Sequence, residues 1–311
     1  LTSVAEGFRL GPDRVVGAVA AARALAALDG VPLRAGHLRR GARRQGAPLL
    51  GRHARHVEPE VGWADLVLPD GPRAQLEELV LRARERDRVL RQWRLRPGGG
   101  RGLGVTALFA GESGTGKTMS AEVVAGELGV ALAVVDLSSV VDKYIGETEK
   151  NLDRIFTEAD RADAVLLFDE ADAVFGRRSE VKDSHDRYAN LESAFLLQRL
   201  ESFAGVAVLT TNLRANIDEA FTRRLDLVVD FPFPDPALRA TLWRQCLAGA
   251  PCAPDLDLDA VGRDYELSGG AIRSAAVTAA YLAAGRGTPI TAEDVLVGAR
   301  REYQKAGRVV W

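Results

Sequence analysis

Residues 111–118 read GESGTGKT and fit the pattern G-x-x-x-x-G-K-[S/T]. The pattern needs an apolar strand to deliver the chain and a helix to receive it. Both neighbours are in place: 105–110 is a short apolar run and 119–128 has helical character. Gly114 and Gly116 let the backbone curl until successive N–H groups point inward at an anion. The helix that follows adds the positive end of its dipole. Lysine is scarce in this chain, with Lys117, Lys143, Lys150, Lys182 and Lys305 the whole set, so the lysine inside the motif is informative. The expected phosphate cradle is Gly111, Glu112, Ser113, Gly114, Thr115, Gly116, Lys117, Thr118 and Met119. Lys117 is expected at the β- and γ-phosphates of ATP, and the Thr118 hydroxyl on Mg²⁺. Glu112 is unexpected there, because a carboxylate beside a triphosphate must point away.

A second motif follows some 50 residues on. Residues 165–170 read VLLFDE, four apolar residues and then two acids. In an open parallel sheet the ligand lies beyond the carboxyl ends of the strands. Asp169 is therefore expected to hold the Mg²⁺ shell and Glu170 to act as general base on water. Further apolar runs at 131–136, 206–210 and 225–230 alternate with helical stretches at 147–160 and 187–202. That alternation, with the glycine-rich loop, implies α/β architecture: a P-loop NTPase core with a five-stranded parallel sheet and helices on both faces, and the rest of the chain to Trp311 reads as all-α. An amphipathic helix is expected from Asp70 to about Trp93, with Leu76, Leu79, Val80, Arg84 and Val89 sharing its spacing.

Composition narrows the function. A formal net charge of −2 over 311 residues argues against a whole-chain nucleic-acid binder. No apolar run reaches the ~18 residues of a membrane span, and no signal-peptide pattern opens the chain. Two cysteines, Cys246 and Cys252, suit a reducing compartment better than a disulfide framework. The expectation is a cytoplasmic protein. The excess of arginine over lysine points to a GC-rich bacterial genome.

An internal repeat spans about 45 residues. The stretch from Leu1 aligns without gaps to the stretch from Leu258: Leu10 with Leu267, Val15 with Ile272, Leu25 with Leu282, Gly30 with Gly287, and Pro32 with Pro289. Ala-rich helices match by composition alone, but recurring Gly and Pro punctuation does not. The expectation is two copies of one helical unit. The Gly-, Pro-, His- and Arg-rich stretch from Gly46 to Pro59 reads as linker.

With these residues in hand, the chain resembles the AAA family of AAA+ ATPases over about residues 60–311. Residues 205–212, GVAVLTTN, are similar to the family's sensor strand, which implies that Asn212 orients the lytic water. Residues 218–226, DEAFTRRLD, resemble the segment that delivers arginines to a neighbour's site. That match makes Arg223 the candidate finger and Arg224 the second arginine. Residues 143–150, KYIGETEK, resemble an aromatic pore loop, which implies that Tyr144, Ile145 and Gly146 grip a threaded chain. Residues 236–311 resemble the helical lid. There the family often carries an arginine where Ala271 stands, and Arg273 lies two residues on. The 176–190 insert resembles a second pore loop, and its His185 reads as a loop residue.

The resemblance implies a hexameric ATPase that hydrolyses ATP with Mg²⁺ to unfold, thread or remodel a protein partner. It divides the chain into a lid-like segment of a preceding module (1–45), a linker (46–69), an αβ core (70–235) and a lid (236–311). Two rivals stay open. Arg-rich stretches at 34–44 and 82–96 keep a nucleic-acid remodeller in view, and Glu112 with Ala271 would suit a nucleotide-switched assembly scaffold that rarely hydrolyses.

Overall fold

The computed structural model describes residues 12–46, 54–95, 103–140, 147–162, 164–172, 184–212 and 219–308. Two helices, α1 (Pro12–Leu28) and α2 (Ala35–Gly46), come first. Strand β1 (Ala54–Val57) and helix α3 (Asp70–Arg86) follow. The last turn of α3 widens into a π-helical stretch, Asp87–Gln92. Then strands and helices alternate: β2 (Val105–Gly111), α4 (Lys117–Leu128), β3 (Leu132–Asp136), α5 (Glu147–Ala162), β4 (Val165–Asp169), α6 (Ser184–Ser202), β5 (Val206–Thr211) and β6 (Leu227–Phe231). Four helices close the chain: α7 (Pro236–Cys246), α8 (Leu258–Asp264), α9 (Gly269–Arg286) and α10 (Ala292–Lys305).

The sheet has six strands in the order β1-β3-β4-β5-β2-β6. The pairs β2–β5, β3–β4 and β4–β5 are parallel. The expected five strands are all present, and a sixth lies at Ala54–Val57, inside the stretch read as linker. Residues Ala54–Val57 pair antiparallel with β3, Ala54 opposite Val135 and Val57 opposite Leu132. Four residues are too few to show strand periodicity in sequence. The exposed, charged Arg55 is what a short edge strand carries.

The chain packs as two compact units. One comprises Leu1–Trp63, Arg73–Ala110 and Thr118–Val229; the other comprises Ala64–Pro72, Gly111–Lys117 and Asp230–Trp311. The first unit's core lies under the sheet. The inner strands are apolar on both faces because helices cover both, and β5 is buried at every residue. Helix α5 presents Leu152, Ile155, Phe156 and Ala159 at helical spacing to this core. Phe156 stacks at 5.4 Å from Phe168 and 5.3 Å from Phe203, centroid to centroid.

The second unit has its own core of Trp243, Leu247, Val261, Tyr265, Leu267, Ile272, Ala276, Ile290 and Val295. Its helix starts are capped: the Asp235 side chain accepts from the Leu238 N–H at 2.8 Å, and Thr291 and Asp294 form a reciprocal capping box. Arg239 is buried but fully employed, donating from Nε to Gly262 O and from Nη1 to Pro234 O, both at 2.7 Å.

Candidate nucleotide site

Strand β2 is buried from Val105 to Ala110 and runs straight into the glycine-rich loop. The loop is shaped by backbone. Gly114 and Gly116 have φ of 77° and 102°, in the left-handed region where a side chain is strained. At Gly111 a Cβ would collide with the carbonyl oxygen of Phe231. Lys117 is 7% exposed, and its Nζ donates to Gly111 O at 2.6 Å and Glu112 O at 2.8 Å. The Thr115 hydroxyl donates to the same Glu112 carbonyl at 2.8 Å. Glu112 thus serves the loop through its main chain, while the residue itself is exposed, as is Ser113. An ammonium held on the loop's own carbonyls beside two left-handed glycines is the kind of group that a polyanion such as a triphosphate would engage. A Cβ built on Gly116 meets no atom within 4 Å.

The start of α9, where sequence reasoning had marked Ala271, belongs to this loop's surroundings through Ser268 and Gly270, which it had not marked. The Gly270 N–H donates to Gly114 O at 2.9 Å, and a Cβ on Gly114 would lie 2.5 Å from Ser268 Oγ. The small residues of SGG are the signal that could have found it, since a backbone can approach closely only past glycine. Ala271 sits in the same turn, its N–H on Ser268 Oγ at 3.4 Å. Arg273 hydrogen-bonds Cys246 on α7; burial pushes the Cys246 thiol up, and Arg273 pulls the other way. Thr118 is exposed and Met119 half-buried at the start of α4.

In the other unit, the acid pair stands at the tip of β4. Asp169 is half-buried and Glu170 exposed. The adjacent tip of β5 holds them through Thr210, whose hydroxyl donates to Asp169 Oδ1 and accepts from the Glu170 N–H at 3.2 Å. The Thr210 carbonyl takes the Ala171 N–H at 2.8 Å. Sequence reasoning did not mark Thr210, which ties the candidate acid pair to β5. Its signal was a hydroxyl in an otherwise apolar strand. Glu170 has φ of 54°, the left-handed region for a non-glycine residue, a conformation that costs ~1–2 kcal/mol. The turn lifts Glu170 out of the strand's alternation. Two residues beyond Thr210, Asn212 is exposed, its N–H on Asp172 Oδ1 at 3.4 Å.

Arg223 and Arg224 are both exposed and follow a helical turn, Glu219–Thr222. Arg224 pairs with Glu201 at 3.2 Å, a surface bridge that is worth ~0–1 kcal/mol. The segment is anchored just downstream. Asp226 accepts from the Thr106 N–H at 2.8 Å and from the Thr106 hydroxyl at 3.0 Å. Tyr144, Ile145 and Gly146 lie outside the described residues, as does most of the 176–190 insert.

Among the described residues no group of three or more His, Cys, Asp or Glu could hold a metal ion, and no helix is long and apolar enough to cross a membrane. A glycine-curled loop with one buried lysine, in a chain that also ends a parallel strand in an acid pair, defines a P-loop nucleotide-binding protein of the α/β class. Residues 107–233 match the profile of the ATPase family associated with various cellular activities (AAA). The chain belongs to this AAA family of ATPases, with one AAA module present. It is 35% identical over 237 residues to the ATP-dependent zinc metalloprotease FtsH 3 of Sphaerobacter thermophilus, covering 74% of this chain and 47% of that protein. It is 32% identical over 207 residues to the proteasome-activating nucleotidase of Aeropyrum pernix, covering 64% and 51%. It is 31% identical over 218 residues to the cell division cycle protein 48 homolog of Archaeoglobus fulgidus, covering 68% and 29%. The chain thus spans about half or less of these relatives.

Proposed function

We propose that this chain is an ATP-hydrolysing subunit of a ring, a hexamer, that remodels, unfolds or threads a protein partner in the cytoplasm. The observation that carries the reading is the loop: Lys117, nearly buried, turned onto the carbonyls of Gly111 and Glu112 beside two left-handed glycines. In this reading the loop amides from Gly111 to Thr118 and the Lys117 ammonium hold the triphosphate. Thr118 and Asp169 would hold Mg²⁺, which neutralises charge on the phosphate oxygens. Glu170 takes the proton from water as its oxygen bonds the γ-phosphorus, and the bond to the β-phosphate bridging oxygen breaks to release ADP. Asn212 orients that water. Arg223 of one protomer stabilises transition-state charge in its neighbour's site, and Arg224 holds the approach. Tyr144, Ile145 and Gly146 grip the partner chain without reading its sequence. The relatives above support a protein partner rather than a nucleic acid: one is named a protease and another activates proteasomes.

The test is ATPase rate against protein concentration for the wild type, Lys117→Ala, Glu170→Gln and Arg223→Ala. Lys117→Ala weakens nucleotide binding by at least ~100-fold. Glu170→Gln binds ATP, traps the assembled ring and loses ~10²–10⁴ in rate. Arg223→Ala binds ATP normally and stays ~10³-fold slow at every concentration. Wild-type turnover in the Arg223 variant would remove the shared-site reading. A second reading, a nucleotide-switched scaffold, is favoured by Ala271, which brings no guanidinium to the start of α9. Turnover near zero in an assembled wild-type ring would select it.

A further inference from the structure

The hairpin of α1 and α2 is built as the hairpin of α9 and α10 is built, down to single atoms. A Cβ on Gly41 would collide with the Ala18 carbonyl oxygen, and a Cβ on Gly298 with the Ala275 carbonyl oxygen. Those two pairs are aligned in the repeat. The left-handed glycine at the end of each first helix recurs, Gly30 with φ of 65° and Gly287 with φ of 68°. The start of the second helix recurs with its charges exchanged. In one copy His37 Nδ1 accepts from the Arg34 N–H at 2.9 Å, and Nε2 meets Asp29 at 3.1 Å. In the other, Asp294 accepts from the Thr291 N–H at 3.0 Å and from Arg286 at 2.6 Å. The helix–helix seam is buried alike in both: Ala18, Ala22, Ala26 and Ala42 against Ala275, Ala279, Ala283 and Ala299.

The copies part company on one face. Ile272 and Ile290 are 0% and 2% exposed; their counterparts Val15 and Leu33 are 45% and 44% exposed. What covers that face of the C-terminal copy is known. Trp243, fully buried, and Leu247 pack in the same core as Ile272 and Ile290. Arg273 reaches Cys246 on α7. The stretch after α7 pairs with Ile290, whose N–H donates to Pro251 O and whose carbonyl accepts from the Ala253 N–H, each at 2.8 Å. In the alignment α8 corresponds to residues 1–7, which lie outside the described residues. Helix α7 and its tail correspond to nothing among the 311 residues. At the position of Arg273 the first copy has Val16, 71% exposed. The surface there calls for an apolar cover, without the thiol–guanidinium contact.

We infer that residues 12–46 are the trailing half of a second lid, and that their open apolar face docks an α7-like helix with a buried aromatic anchor and a short extended tail, belonging to a preceding module of the same polypeptide. The inference is independent of the nucleotide reading, since none of its residues serves the candidate site.

The repeat dictates the experiment. A second copy of residues 235–257 joined directly before Leu1 restores the order found in the C-terminal lid. Hydrogen exchange then reads α1 and α2. The expected result is that their amides slow at least tenfold in the extended chain, while α9 and α10 stay as in the original. Trp243→Ala in the added copy returns α1 and α2 to the original rates. So does Val15→Asp with Leu33→Asp, which leaves the unextended chain unchanged because both residues are exposed there. Unchanged exchange in the extended chain overturns the inference. Self-association of the unextended chain that Val15→Asp abolishes also overturns it, because the face is then an interface between copies.

Discussion

The glycine-rich loop and the tip of β4 are made of different material. The loop Gly111–Lys117 is a backbone object: two left-handed glycines, one lysine turned onto carbonyls, and a glycine amide of α9 bonded to Gly114 O. The tip of β4 is a side-chain object, two carboxylates steered by the hydroxyl of Thr210. A backbone device depends on the left-handed conformations that glycine allows. A side-chain device depends on one hydroxyl in a neighbouring strand. The loop should therefore fail in affinity, and the strand tip in rate.

Four substitutions put this contrast at risk. The largest effect is expected from Lys117→Ala, which should weaken ATP binding by at least ~100-fold, about 3 kcal/mol; titration with a fluorescent ATP analogue measures it. Binding within a few fold of wild type would show that the loop grips by amides alone. Gly116→Ala comes next. No atom lies in the way of its methyl, so the cost is the left-handed backbone itself, ~1–2 kcal/mol, read as a loss of ~10-fold in ATP affinity. Thr210→Val should lower kcat by about tenfold, one hydrogen bond of ~1.5 kcal/mol to a carboxylate, with Kd for ATP held within about twofold. Thr210→Ser should restore the rate. A shift in Kd instead of kcat would merge the two devices and end the contrast.

The smallest effect belongs to the unit that carries the loop. The Arg286 guanidinium beside Asp294, helped by the Thr291 amide and hydroxyl, holds this carboxyl at about 2 against an ordinary 3.8. A depressed carboxyl stabilises the fold above its ordinary value, and that stability is lost as pH falls through the folded value. Melting temperature should therefore drop between pH of about 4 and about 2, and Asp294→Asn should flatten that limb. An unaltered slope in the variant would assign the acid sensitivity to other carboxyls.

How far sequence could see follows the same division. The loop was readable because glycine and lysine at fixed spacing have one dominant physical use. The acid pair was readable from an apolar run ending in charge. Thr210 was not, because its partner Asp169 is 41 residues away in sequence and meets it only when β4 and β5 pair. Ser268 and Gly270 escaped for a like reason: nothing local says that a glycine amide will bond the loop. The strand Ala54–Val57 escaped because a basic, four-residue edge strand has a linker's composition. The doubled arginines at 223 and 224 were visible, yet the Glu201 that engages Arg224 lies on another element.

That short strand changes what the stretch between the hairpin and the ATPase module can be. A slack tether would let the hairpin wander and would carry no load. Here Ala54–Val57 is laced to Leu132–Val135 across four residue pairs. A pull that reaches Ala54 from the N-terminal side therefore acts on this outermost ladder of the sheet before it reaches α3.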